Sequence, residues 1–312
     1  MKFIKVVLVS VLALFLLGFS VAYILFRVTN TERHVLDDMA RKNVVGSFVE
    51  LTDGITHYEL SGPDTGKVVV LVHGFSVPYY IWDSTAVRLA SEGYRVLRYD
   101  EFGRGFSDRP IKVYEASLLR QQLADLLSAL HISSVHAMAG LSFGGPVVTD
   151  FVIHHPGLVN KVILVDPLFP DVGPAKLPYP ESIARFMMAI SPEATVAGQL
   201  TDLKYPAQFS HWADQYKVQM QYEGFRHALV STRYHYAAPD KIRANYQELN
   251  ALDKSVLLIW GKEDITTPFA NSDSLLKVLD AEFVPVEDAA HLPHMEKAGS
   301  VNKRILDFLR AK

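Results

Sequence analysis

The chain has 312 residues, 49% of them hydrophobic, with a net charge of −3 and no cysteine. That is enough apolar material for one large domain or two small ones without disulfide or metal staples. The near-neutral charge gives no support to nucleic-acid binding or an acidic tail, and the missing thiols exclude disulfides, cysteine nucleophiles and cysteine zinc sites.

Val6 to Phe26, "VVLVSVLALFLLGFSVAYILF", runs 21 residues without a charge. A helix of that length spans the roughly 30 Å of a bilayer's hydrocarbon. Ser20-Val21-Ala22 also offers a small-x-small cleavage pattern, so a cleaved secretory signal is the competing expectation. The run is long for a signal's apolar region, and the "YILF" beyond that pattern is still apolar. Both facts favour an uncleaved signal-anchor over residues 1–28. Lys2 and Lys5 argue for a cytoplasmic amino terminus, but Arg27, Arg33, Arg41 and Lys42 beyond the apolar run blunt the charge asymmetry. The side of the membrane therefore stays open. Residues 29–43 are charged and polar and read as a juxtamembrane linker or helix, ahead of a main domain over residues 44–312.

Val44–Leu51 and Ile55–Gly62 flank Asp53-Gly54, the pattern of a β-hairpin. "KVVVLVHGF" is a continuous apolar run, as in a strand buried on both faces. Tyr94–Gly105 gives a second such run, and Glu115–Leu130 follows with leucines at helical spacing. "SSVHAMAG" reads as a third core strand and Gly144–His155 as a helix. Lys161–Phe169, Ser255–Asp264 and Ala281–Ala290 read as further strands, and Glu296–Arg310 as a closing amphipathic helix. Strands alternating with helices predict an α/β fold with a mostly parallel sheet and helices on both faces. One interval, about 170–250, contains no core strand and has aromatic- and methionine-rich helical stretches. It is expected to form a helical cap over the carboxyl edge of the sheet, where ligands bind in open α/β folds.

Gly140-Leu141-Ser142-Phe143-Gly144 fits G-x-S-x-G between a strand and a helix. There the pattern makes a nucleophile elbow, a sharp turn that lifts a serine above the sheet edge. A serine hydroxyl needs a base, and the base needs an orienting acid. Asp264 follows one predicted strand and His291 the next, in the order Ser, Asp, His that suits this architecture. Asp166, at the end of its own strand, is the alternative acid, and His294 is an alternative base. Glu263 and Asp288 read as solvated loop carboxylates, and His154 and His155 as helix-end residues. The backbone N–H groups of Phe143 and Phe75 are the expected oxyanion donors, with His73 structural and Gly74 allowing close approach.

Together, "HGF" at His73–Phe75, "DEFGRGFSDRP" at Asp100–Pro110, "GLSFGG" at Gly140–Gly145 and "WGKEDITTP…AAHLPHMEKA" from Trp260 to Ala298 resemble the α/β-hydrolase superfamily. The resemblance covers nearly everything after about Val44. It implies a scaffold loop held by Asp100, Gly103, Gly105 and Ser107, and a Ser142-Asp264-His291 triad needing no cofactor or metal. Haloalkane dehalogenases and epoxide hydrolases carry an aspartate at the elbow, where this chain has Ser142. Proline iminopeptidases usually show H-G-G-P-G, against His73-Gly74-Phe75-Ser76 here. Carbon–carbon hydrolases usually show a tryptophan after the histidine, where this chain has Leu292. What remains resembles carboxylesterases and monoacylglycerol lipases, which implies a small-molecule or lipid ester substrate. Phe186, Met187, Met188 and Ile190 in the cap interval then read either as packing residues or as acyl-pocket lining. A carbon–carbon or amide hydrolase with the same triad, and a non-catalytic binding module on the same fold, are the alternatives.

Overall fold

The computed structural model describes residues 2–169 and 178–311. The first elements are a long helix, α1 (Lys2–Thr29), and a single turn, α2 (Asp38–Arg41). The hairpin follows as β1 (Ser47–Leu51) and β2 (Gly54–Ser61), antiparallel, with Leu51 opposite Gly54. The alternating unit then runs β3 (Val68–Val72), α3 (Asp83–Ser91), β4 (Arg95–Tyr99), α4 (Ala116–Ala129), β5 (Val135–Leu141), α5 (Gly144–His154) and β6 (Val159–Val165). Five helices come next: α6 (Glu181–Ile190), α7 (Pro192–Leu200), α8 (Trp212–Met220), α9 (Phe225–His235) and α10 (Pro239–Ala251). The chain closes with β7 (Ser255–Gly261), α11 (Asn271–Leu276), β8 (Glu282–Val286), α12 (Pro293–Glu296) and α13 (Ala298–Arg310).

The strands form one sheet in the order β1-β2-β4-β3-β5-β6-β7-β8, parallel from β4 to β8 and antiparallel at the hairpin edge. The period-2 alternation of a strand explains the two cores. Val69 and Leu71 point to one face and join Leu89 of α3 and Ile305 and Leu309 of α13. Val70 and Val72 point to the other face and join Leu123 of α4 and Phe151 of α5. Burying a leucine in either layer stabilises the fold by about 1.5–3 kcal/mol. Truncating Leu123 to alanine would cost about 2–5 kcal/mol through the cavity left behind.

Several boundaries differ from the sequence expectation, each for a local reason. The strand expected over Tyr94–Gly105 stops at Tyr99, because the Asp100 carboxylate accepts the N–H groups of Tyr79 and Phe106 and bends the chain away. The strand expected to Phe169 ends at Val165, because Asp166 adopts φ +42°. The closing helix begins at Ala298 because Glu296 turns back to accept from Ala290 and Lys204 N–H groups. The interval about 170–250 divides into two parts, with residues 170–177 outside the described residues. Helix α10 packs against α5, with Ile242, Tyr246 and Leu249 in the core beneath the sheet at helical spacing. The cover over the sheet edge is therefore carried by α6 to α9. Residues 30–36 are not a free tether, because they are stitched to the start of α9.

Candidate active site

Ser142 follows β5 at a sharp corner of the sheet edge, with φ +52°. A non-glycine residue in this region is strained and marks a position the surrounding structure over-determines. The small neighbours are needed for the turn: a Cβ on Gly140 would lie 2.3 Å from Gly144 O, and one on Gly144 2.5 Å from His73 O. The Ser142 N–H donates to Val165 O at 2.9 Å, and Ser142 O accepts from Gly145 and Leu168 N–H at 2.9 Å each. Ser142 is 9% exposed, at the start of α5, whose first N–H groups and dipole face the same edge.

Phe75 and Phe143 lie together there, ring edge to ring face at 5.9 Å between centroids. The Phe75 loop is held from behind by Arg104, a residue with no exposed surface. Its Nε donates to Phe75 O at 2.9 Å, Nη1 to Phe102 O at 3.0 Å and Nη2 to Thr232 Oγ1 at 3.0 Å. Burial pushes the neighbouring Glu101 up to about 8, against the pull of Arg104, so Glu101 is mostly protonated at neutral pH. His73 sits beside this loop. Its Nδ1 donates to Gly74 O at 2.7 Å and its Nε2 accepts from Glu101 N–H at 2.9 Å. Burial lowers its pKa to about 4, so it stays neutral, a wedge rather than a base.

Asp264 lies beyond β7 and His291 beyond β8, on the same carboxyl edge as Ser142. His291 Nδ1 donates to Asp264 Oδ2 at 2.8 Å, and both residues are buried. Asp264 is held by a turn of threonines: Oδ1 accepts from Thr266 and Thr267 N–H at 2.8 and 3.0 Å, and Oδ2 from Thr267 Oγ1 at 2.7 Å. Burial acts to raise the Asp264 carboxyl, but the charge and hydrogen bond of His291 and these donors leave it below the ordinary carboxylate value. Burial acts to lower His291, and the Asp264 charge and hydrogen bond outweigh it, leaving the imidazole above its ordinary value. Such a pair is suited to an imidazole that takes up a proton beside a carboxylate that stays ionised. The His291 N–H also donates to Asp202 O at 3.1 Å, tying the histidine loop to the cover.

Asp166 is buried beside the pair, and its ligating atoms with those of Asp264 and His291 lie within 4.8 Å of one another. Among the described residues this trio has the donor set of a small cation site. A metal there would displace the proton His291 gives to Asp264. His294 is buried against Trp82 with Nε2 on Ile81 O, and burial lowers it to about 3, so it is not an available base. Glu263 and Asp288 are surface carboxylates, as read, but both bind Lys204 of the cover, and Asp288 also Lys297. His154 ends α5 with Nδ1 donating to Asp150 O, and His155 caps it. Of the cover residues, Met188 packs against a core cluster, Met187 is exposed and Phe186 lines a groove with Phe26 of α1.

The scaffold loop matches its expected role. The Asp100 carboxylate takes His57 Nδ1 at 2.7 Å, and Ser107 Oγ donates to Asp100 O at 2.6 Å. Gly103 and Gly105 have φ +86° and +50°, and a Cβ on Gly105 would lie 1.9 Å from Asp100 Oδ2. His57 carries no pattern in the sequence that marks it, and although Arg104 and Thr267 lie within the quoted stretches, nothing local there assigns their partners.

A strand-elbow serine, a buried histidine–carboxylate pair one strand apart and a helical cover define a hydrolase-type α/β architecture. The family profile described as alpha/beta hydrolase fold matches residues 67–298, and the chain belongs to that family. Epoxide hydrolase 3 of Xenopus tropicalis is 25% identical over 278 residues, covering 81% of this chain and 74% of that one. Carboxylesterase YbfK of Bacillus subtilis is 24% identical over 271 residues, covering 84% and 86%. The crystal structure of the enol-lactonase from Burkholderia xenovorans LB400 has the same fold, with TM-score 0.72 and 21% identity over 85% of this chain and all of that one. The chain is a hydrolase of this fold, with carboxylesterase homologues.

Proposed function

We propose that the protein is a membrane-anchored serine hydrolase that cleaves carboxylic esters, with acyl esters such as monoacylglycerols as its substrate class. Ser142 attacks the ester carbonyl while His291 takes its proton, and Asp264 orients and charges the imidazole. The N–H groups of Phe75 and Phe143 receive the oxyanion, a contribution of about 2.7–4 kcal/mol per donor in such sites. The protonated His291 returns its proton to the leaving alcohol. Water, deprotonated by His291, then releases the acid from the Ser142 acyl-enzyme.

The observation that carries this reading is the buried His291–Asp264 hydrogen bond at 2.8 Å, on the sheet edge where Ser142 occupies its strained corner. Ester chemistry is favoured over epoxide opening because Ser142 stands where epoxide hydrolases carry an aspartate. The similarity to carboxylesterase YbfK supports the same choice. Membrane attachment through residues 1–28 is supported by α1, which is long and apolar enough to cross a bilayer and has no buried residue. Cleavage after Ser20-Val21-Ala22 and release of the domain is the competing outcome.

The test is fluorophosphonate labelling of detergent-extracted protein beside Ser142→Ala, followed by p-nitrophenyl esters of rising chain length. Labelling lost in the variant, with turnover that depends on chain length, is the expected result. A folded wild type that takes no label would remove the serine-hydrolase reading and favour a binding module.

A further inference from the structure

The juxtamembrane segment fastens the anchor to the cover. Three residues beyond the end of α1, the Glu32 carboxylate sits on the start of α9. It accepts from Arg226 N–H at 2.6 Å and Gly224 N–H at 3.3 Å, and pairs with Arg226 Nη2 at 3.1 Å. An anion at a helix N-terminus is favoured by the free N–H groups and the dipole. Main-chain bonds extend the seam: Arg33 and His34 N–H donate to Gln221 O, and Glu223 N–H donates to His34 O. Helix α1 also packs against α6.

Helix length then sets a level. The charge-free run ends at Phe26, 21 residues after it begins, and at 1.5 Å per residue this matches the roughly 30 Å hydrocarbon thickness. Phe26 therefore lies at the boundary between acyl chains and headgroups. Phe26 lines a groove of about 920 Å³ whose other apolar walls are Val35, Leu36, Ile111 and Phe186. Ile111 is 96% exposed, Val35 64%, and Met187, next to Phe186 on α6, 47%. Single exposed apolar residues are ordinary on a protein surface. Val35 and Ile111 border one groove with Phe26, and Met187 is exposed on the same helix as Phe186. Arg185 and Arg226 line the groove too, Arg226 paired with Glu32, together with the carboxylates of Asp53, Asp108 and Glu223.

We propose that this face, carried by Val35, Ile111 and α6, is seated in the headgroup boundary of the bilayer that holds α1, with Glu32 fixing its orientation. The inference rests on the membrane-anchor reading above. It makes the cover the membrane side of the enzyme, so an acyl substrate reaches the site from the lipid phase.

The absence of cysteine makes single-site labelling clean. Full-length Ile111→Cys, Met187→Cys, Val11→Cys and Val87→Cys proteins would each carry a nitrobenzoxadiazole probe. They would be reconstituted in phosphatidylcholine–phosphatidylglycerol vesicles containing nitroxide-labelled lipid. Quenching of at least two-fold at Ile111, Met187 and Val11, with Val87 on α3 unquenched, is expected. Glu32→Ala should cut the Ile111 quenching by half or more while leaving Val11 quenched. Unquenched probes at Ile111 and Met187 beside a quenched Val11 would overturn the seated face and leave the anchor intact. Full Ile111 quenching in Glu32→Ala would overturn the role of Glu32. An unquenched Val11 would remove the anchor reading and this inference together.

Discussion

Asp166 and Asp264, from the ends of neighbouring strands, meet as a buried carboxyl pair behind His291. Gly261 N–H donates to Asp166 Oδ1 at 2.8 Å, and Asp166 Oδ2 has no hydrogen-bond partner among the described residues. Burial, and then the Asp264 charge, hold the Asp166 carboxyl well above the ordinary carboxylate value, which favours its neutral form. Two like charges in such a space cannot both be ionised, and the one facing the imidazole keeps the charge. Asp166→Asn places a neutral side chain of the same shape there. Its kcat/KM should fall less than about three-fold and its acid limb should stay in place. Asp264→Asn should lower kcat by about 10³–10⁴-fold. An acid limb displaced downward by a full pH unit in Asp166→Asn would show that Asp166 is ionised in the native enzyme.

The His291 shift gives a pH dependence with a definite sign. In the proposed mechanism His291 must be neutral to accept the Ser142 proton, and Asp264 holds the imidazole above its ordinary value despite its burial. The rate should therefore be lost as pH falls through a value above 6.5 and be flat on the alkaline side. A kcat/KM profile for a p-nitrophenyl ester measures it. The same shift makes the His291 contribution to stability fully present below about 6.5 and lost as pH rises through the folded value. Imidazole titration by NMR in Ser142→Ala would check the assignment without turnover.

Arg104 positions the Phe75 loop with a planar fork to three oxygens on separate segments. A lysine keeps the charge and cannot reproduce the fork. Arg104→Lys should lower kcat and the fluorophosphonate labelling rate by about 10–100-fold, with KM little changed, since one oxyanion donor is worth about 10²–10³ in rate. A proportionate rise in KM with kcat intact would move Arg104 from loop positioning to substrate binding.

Two glycines separate backbone strain from steric clash. Gly93 has φ +89° with nothing within 4 Å of an added Cβ, so Gly93→Ala should cost about 1–2 kcal/mol. Gly105 adds a clash with the Asp100 carboxylate, which holds His57 and the Tyr79 and Phe106 N–H groups. Gly105→Ala should cost about 3 kcal/mol or more, because it also disturbs a buried charged network. Thermal unfolding of the detergent-solubilised proteins, compared at equal ionic strength, gives both values.

The sequence by itself determined what repeats locally. Alternating apolar runs and helical leucine spacing specify the strands and helices, and the glycines around Ser142 specify a corner that larger residues could not enter. The order of Ser142, Asp264 and His291 at strand ends was legible for the same reason, since a parallel sheet sends every such loop to one edge. Tertiary structure alone decided the contacts between distant segments. Nothing local in "VDP" tells that the Asp166 carboxyl is held above its ordinary value, because that depends on its burial beside Asp264, 98 residues away by their numbering. The break at Tyr99 depends on Tyr79 and Phe106 converging on Asp100. The assignment of α10 to the layer under the sheet depends on α5 offering it an apolar partner. The docking of residues 30–36 depends on the start of α9 lying within reach of Glu32. Periodicity reports which face of an element is apolar. Which surface covers that face, and which charge survives burial there, is set by the rest of the fold.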